Sequence, residues 1–251
     1  MQSETEPNSN TANLVLALDT SGDVCSLATV TNGKLTAEIN FRHKMHLSER
    51  LMDHVTAVLN GADAQIEDVT AFAVGLGPGS FTGTRIGVMT MKTFASLTGK
   101  PLYGVDSLAA MALSYSGAAD TVVIPMLPCR NGIVYTGVYD VSSGSAITIA
   151  QPDSLTIAEL AELALKSTSG SLLFTGTAVD RYYEQLLEAL GSEQYRASRG
   201  NIESPKALGI ASLALARIAA SDLGDDPLSL VPSYISPPPI TMPKGVPLPE
   251  A

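Results

Sequence analysis

Apolar positions along this chain fall into short blocks with two different periods. Residues 14–19 (LVLALD), 25–31 (CSLATVT) and 34–41 (KLTAEINF) are rich in aliphatic and β-branched side chains and predict three strands. The last two meet at Asn32-Gly33, a pair that accepts the positive φ angles of a two-residue hairpin. The period then lengthens: Leu47, Leu51, Val55, Val58 and Leu59 recur at helical spacing over about 46–60, and Gly61 supplies a stop. A continuous apolar run at 69–75 (VTAFAVG) predicts a buried strand. A glycine-rich loop follows, and then a second helix from about Ser80 to Leu97, closed by Gly99 and Pro101.

After a short helix near 107–114 the same order returns. Residues 121–127, 133–140 and 146–150 predict strands, with Ser142-Ser143-Gly144 turning the second into the third. A helix at 156–165, a strand at 171–175 and a helix at 178–190 follow, and a last helix covers about 205–220. Two βββαβα units in tandem predict an α/β chain of the actin-like, Hsp70-like (ASKHA) two-lobed architecture rather than one doubly wound sheet. The expected lobes are 13–105 and 106–236. Residues 1–12 and the proline-rich 237–251 show no apolar period and are expected to lie outside the fold.

Composition narrows the function classes. With 15 Lys and Arg against 25 Asp and Glu, the 251-residue chain carries a net charge of −10. That balance lacks the basic footprint of an autonomous nucleic-acid binder. Its 45% hydrophobic content supports a sizeable core. No apolar run approaches the roughly 20 residues of a membrane span, and the polar start shows no leader pattern, so a soluble cytoplasmic protein is expected. Two cysteines, Cys25 and Cys129, make no disulfide framework and are expected as core thiols.

The candidate chemistry sits in two loops. Asp19-Thr20-Ser21 ends the first strand, where a carboxylate facing phosphates would hold a hydrated Mg²⁺; Asp, Ser and Gly are also ordinary turn residues, and the plain turn is the favoured reading of this stretch taken alone. Gly77, Gly79, Ser80 and Thr82 lie in the glycine-rich stretch between a buried strand and a helix, where backbone N–H groups cradle anions. No Gly-Lys-Ser/Thr follows, so this is not a Walker loop. Gly83 and Gly87 are four residues apart on one helical face, as close packing against a neighbouring helix requires. That helix is apolar nearly all round. Met89, between Arg85 and Lys92 on its most polar face, suits an adaptable binding surface as well as it suits a core. The three histidines, His43, His46 and His54, do not make a metal site. His46 and His54 are separated by about 12 Å along a helix, too far to share one zinc at Zn–N distances of about 2 Å. No catalytic triad is legible from order or spacing.

The stretches LALDTSGDVCSLATV and GLGPGSFTGTRIGVMTMKTFA resemble the TsaB (YeaZ) family. The likeness extends to His46-Leu47-Ser48-Glu49, Gly104 to Leu108, Arg130 with Val134-Tyr135 and Tyr139, and Pro232 to Ile235. It implies a non-catalytic scaffold or activator subunit in synthesis of tRNA N6-threonylcarbamoyladenosine (t6A), partnered by the catalytic paralogue TsaD and joined by the ATPase TsaE. Self-association is also expected, and tRNA is expected to be met only through the complex. The implied partner face comprises His46, Leu47, Arg50, Leu51, His54, Thr84, Arg85, Val88, Met89 and Lys92. No cofactor is assigned to the chain alone; ATP or ADP is left to the interface of the complex. Ser107 and Met111 occupy the two ligand positions of the His-x-x-x-His metal motif of TsaD, and neither side chain replaces imidazole well. Pro128, Cys129 and Ser236 depart from the family pattern. The competing reading is an autonomous ATP-dependent phosphotransferase of the sugar-kinase type built on Asp19 and the Gly75–Gly83 loop. A peptidase has no legible nucleophile or metal.

Overall fold

Alternation between strand and helix patterns produces two five-stranded sheets of the same topology in the computed structural model. It describes residues 13–42, 46–117, 120–130, 132–168, 170–191, 195–198 and 205–235. In the first sheet, β1 (Leu14–Asp19), β2 (Val24–Thr31) and β3 (Lys34–Arg42) form an antiparallel meander, and β4 (Ala71–Gly75) and β5 (Leu102–Val105) add in parallel on the other side of β1. The order is β3-β2-β1-β4-β5. The hairpin between β2 and β3 turns at Asn32 (φ 51°) and Gly33 (φ 76°), as the sequence predicts, and pairs Thr31 with Lys34. The second sheet repeats the plan with β6 (Thr121–Arg130), β7 (Ile133–Asp140), β8 (Ile147–Thr156), β9 (Ser171–Thr175) and β10 (Tyr195–Ala197), in the order β8-β7-β6-β9-β10. The tandem βββαβα reading therefore describes the chain.

Helices cover both faces of each sheet. On one face of the first sheet, α1 (Leu47–Asn60) and α2 (Phe81–Thr98) close a core of Leu16, Leu18, Leu27, Leu51, Phe72 and Met91. On one face of the second, α4 (Ile157–Ser167) and α5 (Val179–Leu190) cover Ile124, Met126, Phe174 and Leu186. The remaining two helices exchange sheets. α3 (Ser107–Leu113) follows β5 but packs Leu108 and Met111 on Val123, Leu127 and Tyr139 of the second sheet. α6 (Ala207–Ala219) follows β10 but buries Ala207, Ile210, Ala211 and Ala214 on Val15, Ala17, Ala28 and Tyr103 of the first. Residues 205–235, which chain order groups with the second half, thus pack with the first sheet.

Beyond α6 the chain stays pinned. Arg217 donates to both carboxylate oxygens of Asp225 (2.9 and 3.0 Å), to Asp222 (2.7 Å) and to the carbonyl of Gly104 (3.1 Å), while Asp225 accepts from the Gly104 N–H (2.7 Å). The guanidinium holds both carboxyls below the usual carboxylate range. From this clamp residues 226–235 run as a strap beside α2. Among the described residues, no helix is long and apolar enough to cross a membrane.

Candidate functional site

Asp19 ends β1 fully buried, and both of its carboxylate oxygens are engaged. Oδ1 accepts from the backbone N–H of Ser21 (2.8 Å) and from its hydroxyl (2.7 Å); Oδ2 accepts from the Ser107 hydroxyl (2.6 Å). A Cβ at Gly75 would run into the Asp19 carboxylate, so glycine there lets β4 close over it. Burial raises the Asp19 pKa against the lowering effect of these hydrogen bonds. Asp19 thus knots β1, β4 and the start of α3 together; the expectation of a carboxylate facing phosphates does not fit this geometry.

The other loop residues divide. Thr20 and Gly77 are buried, and Thr20 donates to the carbonyl of Gly83 (2.8 Å). Gly79 is half-buried, Ser80 and Thr82 are exposed, and Ser80 caps α2 by accepting from the Gly83 N–H (3.2 Å). Gly83 and Gly87 do make a close approach, but not to a helix: a Cβ on either would strike Thr20. That contact seats the N-terminal half of α2 on the β1–β2 loop.

Between the two sheets lies a cleft of about 310 Å³. Ser21, Gly79, Ser80 and Phe81 line one side, Leu127, Pro128, Cys129 and Tyr135 the other, and the strap residues Pro232 to Ile235 complete the lining. Cys129 is half-buried at this cleft rather than in the core, whereas Cys25 is fully buried, with its thiol pushed up by burial first and by Asp19 second. Near the cleft the Tyr139 hydroxyl donates to Asp106 (2.5 Å), linking β7 to the cap of α3. Burial raises both pKa values, so Tyr139 stays a neutral donor. Nothing in the sequence pairs Asp106 with Tyr139 or Asp19 with Ser107, because each partner arrives from another strand or helix.

The ten residues expected to meet a partner do not share one surface. Leu47, Leu51, Thr84 and Val88 are at most 4% exposed and belong to the chain's own interior, because they lie on the sides of α1 and α2 that face the protein. His46 and Arg50 are exposed, His46 within 3.1 Å of Glu49. The His54 ring packs tilted against Phe41, with ring centroids 3.8 Å apart, and Arg50 lies over the same Phe41 ring. His43 lies outside the described residues, as does Ser236. On α2, Met89 is 59% exposed, while its flanking cations are committed to the strap. Arg85 donates to the Tyr234 hydroxyl (3.0 Å) and stacks over Phe81, and Lys92 donates to the carbonyls of Leu228 (3.3 Å) and Leu230 (2.8 Å). Sequence reasoning missed the strap as a structural neighbour of α2, since its anchors are more than 130 residues away in the chain. A second concavity of about 540 Å³ opens between the C-terminal parts of α1 and α2, lined by Met52, Val55, Leu59, Ile66, Phe94 and Leu97.

Comparison with known proteins places this geometry. A family model described as TsaD, tRNA N6-adenosine threonylcarbamoyltransferase, matches residues 41–220. The tRNA threonylcarbamoyladenosine biosynthesis protein TsaB of Bacillus subtilis is 30% identical over 222 residues, covering 88% of this chain and 93% of the relative. The solved structure of YeaZ from Pseudomonas aeruginosa superposes with a TM-score of 0.74 at 26% identity, over 88% of this chain and 99% of that one. A ROK hexokinase from Thermus thermophilus, at 15% identity and a TM-score of 0.50 over 82% of this chain and 99% of that one, shares the fold alone, and the architecture is of the actin-like type.

Proposed function

The chain belongs to the TsaB (YeaZ) family and so to tRNA threonylcarbamoyladenosine biosynthesis; from that premise we propose that it is a non-catalytic activating subunit, docking a TsaD-like paralogue through α1 and α2 and stabilising that enzyme's active form. The observation that carries the non-catalytic reading is the sealing of Asp19: fully buried, with both oxygens engaged, it has no face toward the cleft for a hydrated metal. Ser107 and Met111 are likewise spent, one on Asp19 and the other on the apolar contact of α3 with the second sheet.

Docking through α1 and α2 is supported by where apolar surface lies. Among the described residues, six of the eleven exposed large apolar side chains are Met52 on α1, Met89 and Leu97 on α2, and Leu228, Val231 and Tyr234 of the strap beside it. Such concentration marks an association face. In this reading a TsaE-like ATPase joins the assembled complex, ATP or ADP sits at the complex interface, tRNA is held by the complex rather than this chain, and the work is cytoplasmic. Self-association through the same helices competes with the paralogue. An autonomous phosphotransferase would need a carboxylate free in the cleft, which Asp19 is not.

The test is reconstitution. The purified chain with ATP and Mg²⁺ is expected to show no sustained turnover, and t6A is expected to form on tRNA only when the paralogue is added, at a rate raised by this chain. Turnover by the chain alone at ordinary kinase rates, about 1–100 per second, would overturn the reading.

A further inference from the structure

The cleft between the two sheets offers little to an anionic ligand. Among the described residues that line it there is no lysine or arginine, and the one carboxylate is Asp23. What it offers instead is aromatic. Phe81 and Tyr234 sit with ring centroids 5.0 Å apart, tilted by 39°, and Tyr135 lines the opposite wall. The pair is held in place, since Arg85 donates to the Tyr234 hydroxyl (3.0 Å) and lies over the Phe81 ring, while the Ser233 N–H donates to the carbonyl of Leu76 (2.8 Å). The strap also brings its own continuation to this place. Ile235 lines the cleft, and the chain goes on as Ser236-Pro237-Pro238-Pro239-Ile240, with six prolines in the sixteen residues from Ser236 to Ala251. Consecutive prolines fix φ near −65° and favour the polyproline II helix. At its rise of about 3.1 Å per residue, Pro237 to Pro239 fall within about 12 Å of Ile235. From Ser236 to Pro243 the sequence carries no charge, as suits a cleft without cations. Aromatic-lined grooves take proline-rich segments because such segments lose little conformational freedom on docking. Prolines bring carbonyl acceptors and no N–H donors. The cleft supplies donors in the hydroxyls of Ser80 and Thr177 and in the Phe81 N–H, which opens α2 and has no intrahelical acceptor.

We propose that Pro237 to Pro239 dock in the cleft of their own chain as a short polyproline segment, laid against the Phe81–Tyr234 pair and over Tyr135 and Cys129. The inference goes beyond the docking reading and does not depend on it. The cleft, at about 310 Å³, is at the small end of ligand pockets and takes a few residues of an uncharged, proline-rich strand. Its ligand is always at hand. Only Ser236 separates the prolines from the anchored Ile235, and so short a tether gives an effective concentration of about millimolar or more. A segment of weak intrinsic affinity therefore fills the cleft, and any other ligand must displace it.

Cys129 reads the occupancy in the full chain. Its half-buried thiol lines the cleft, while Cys25 is fully buried and reacts only on unfolding, so it controls for loss of the fold. With neutral iodoacetamide, the triple variant Pro237→Ser, Pro238→Ser, Pro239→Ser is expected to be alkylated at Cys129 at least fivefold faster than the parent, with Cys25 unreactive and the melting temperature unchanged. Serine is used because a charged side chain beside the thiol would itself change its reactivity. Pro247→Ser with Pro249→Ser is expected to react as the parent does. An acetylated peptide of residues 236–243, added to the triple variant at about millimolar concentration, is expected to restore protection. Equal rates in parent and triple variant overturn the inference. So does faster alkylation that the peptide does not reverse, since the substitutions would then act otherwise than by emptying the cleft. Protection in the parent that falls on dilution would mean that a second copy donates the segment, and an equal effect of the distal pair would place the contact elsewhere in the tail; either result overturns the assignment.

Discussion

At the scale of single residues, Ser107 explains why a cleft of this architecture carries a sealed carboxylate. Its hydroxyl donates to Asp19 and accepts from the N–H of Gly77 (3.1 Å), so one small side chain satisfies a buried acceptor and a buried donor from two other segments. Ser107→Ala strands both partners, and a loss of about 1–3 kcal/mol in unfolding free energy is expected for each buried group left unpaired. The loss also depends on pH. Asp19 already has a folded pKa above its ordinary value of 3.8, so its contribution to stability is greatest at low pH and declines as pH rises through the folded value. Removing a donor that favours the carboxylate raises the folded value further. The penalty of Ser107→Ala is therefore expected to grow from acid toward neutral pH, as urea unfolding of variant and parent at matched pH values would read; a pH-independent penalty would mean that Asp19 stays protonated throughout. Sequence showed Asp19 and Ser107 separately, as a turn carboxylate and as a residue unable to bind metal. It did not pair them, because they are 88 positions apart in the chain.

At the scale of elements, α2 shows what the glycine spacing meant. The four-residue interval between Gly83 and Gly87 predicts a close approach, and the approach is to Thr20 instead of a second helix, Gly83 to its carbonyl oxygen and Gly87 to its side chain. In an exposed helix, Gly→Ala is worth about 1 kcal/mol of stability. Here the added methyl meets the Thr20 carbonyl oxygen, which is held in the same loop as the Asp19 knot and cannot yield cheaply. Gly83→Ala is expected to destabilise by about 1–3 kcal/mol in spite of its propensity, in the range of overpacked cores. Thermal unfolding checks this, and an increase in melting temperature would show that the loop gives way. Most elements were legible because their periods are regular: α1, α2, α4 and α5 lie within about three residues of the spans read from spacing. Two short parallel strands were not. β5 has four residues and β10 three, too few to display a period, and each is defined by pairing with β4 or β9. β8 runs to Thr156, past the strand read at 146–150, because the pairing of Tyr135 with Ser154 and of Ile133 with Thr156 carries it through Pro152.

At the scale of the whole molecule, the tandem repeat was readable as order but the exchange of α3 and α6 between sheets was not, since periodicity does not say which sheet a helix covers. The exchange ties the halves together through contacts of α3 with α6, and the strap adds a further tie along α2. The charge of the whole sets the limit on tRNA contact. A net charge of −10 opposes a polyanion, and the repulsion grows as salt is lowered and the screening length lengthens. Stacking platforms are scarce as well: the chain has no tryptophan, and Phe72, Phe174, Tyr103, Tyr139 and Tyr182 are buried in its cores. The lone chain is therefore expected to show no appreciable tRNA binding at physiological salt and none gained on dilution of salt, while the complex with its paralogue binds. Filter binding of labelled tRNA across a salt series reads both arms. Micromolar or tighter binding by the lone chain, with affinity falling steeply as salt rises, would show that a local cationic surface outweighs the net charge and would move tRNA recognition onto this subunit.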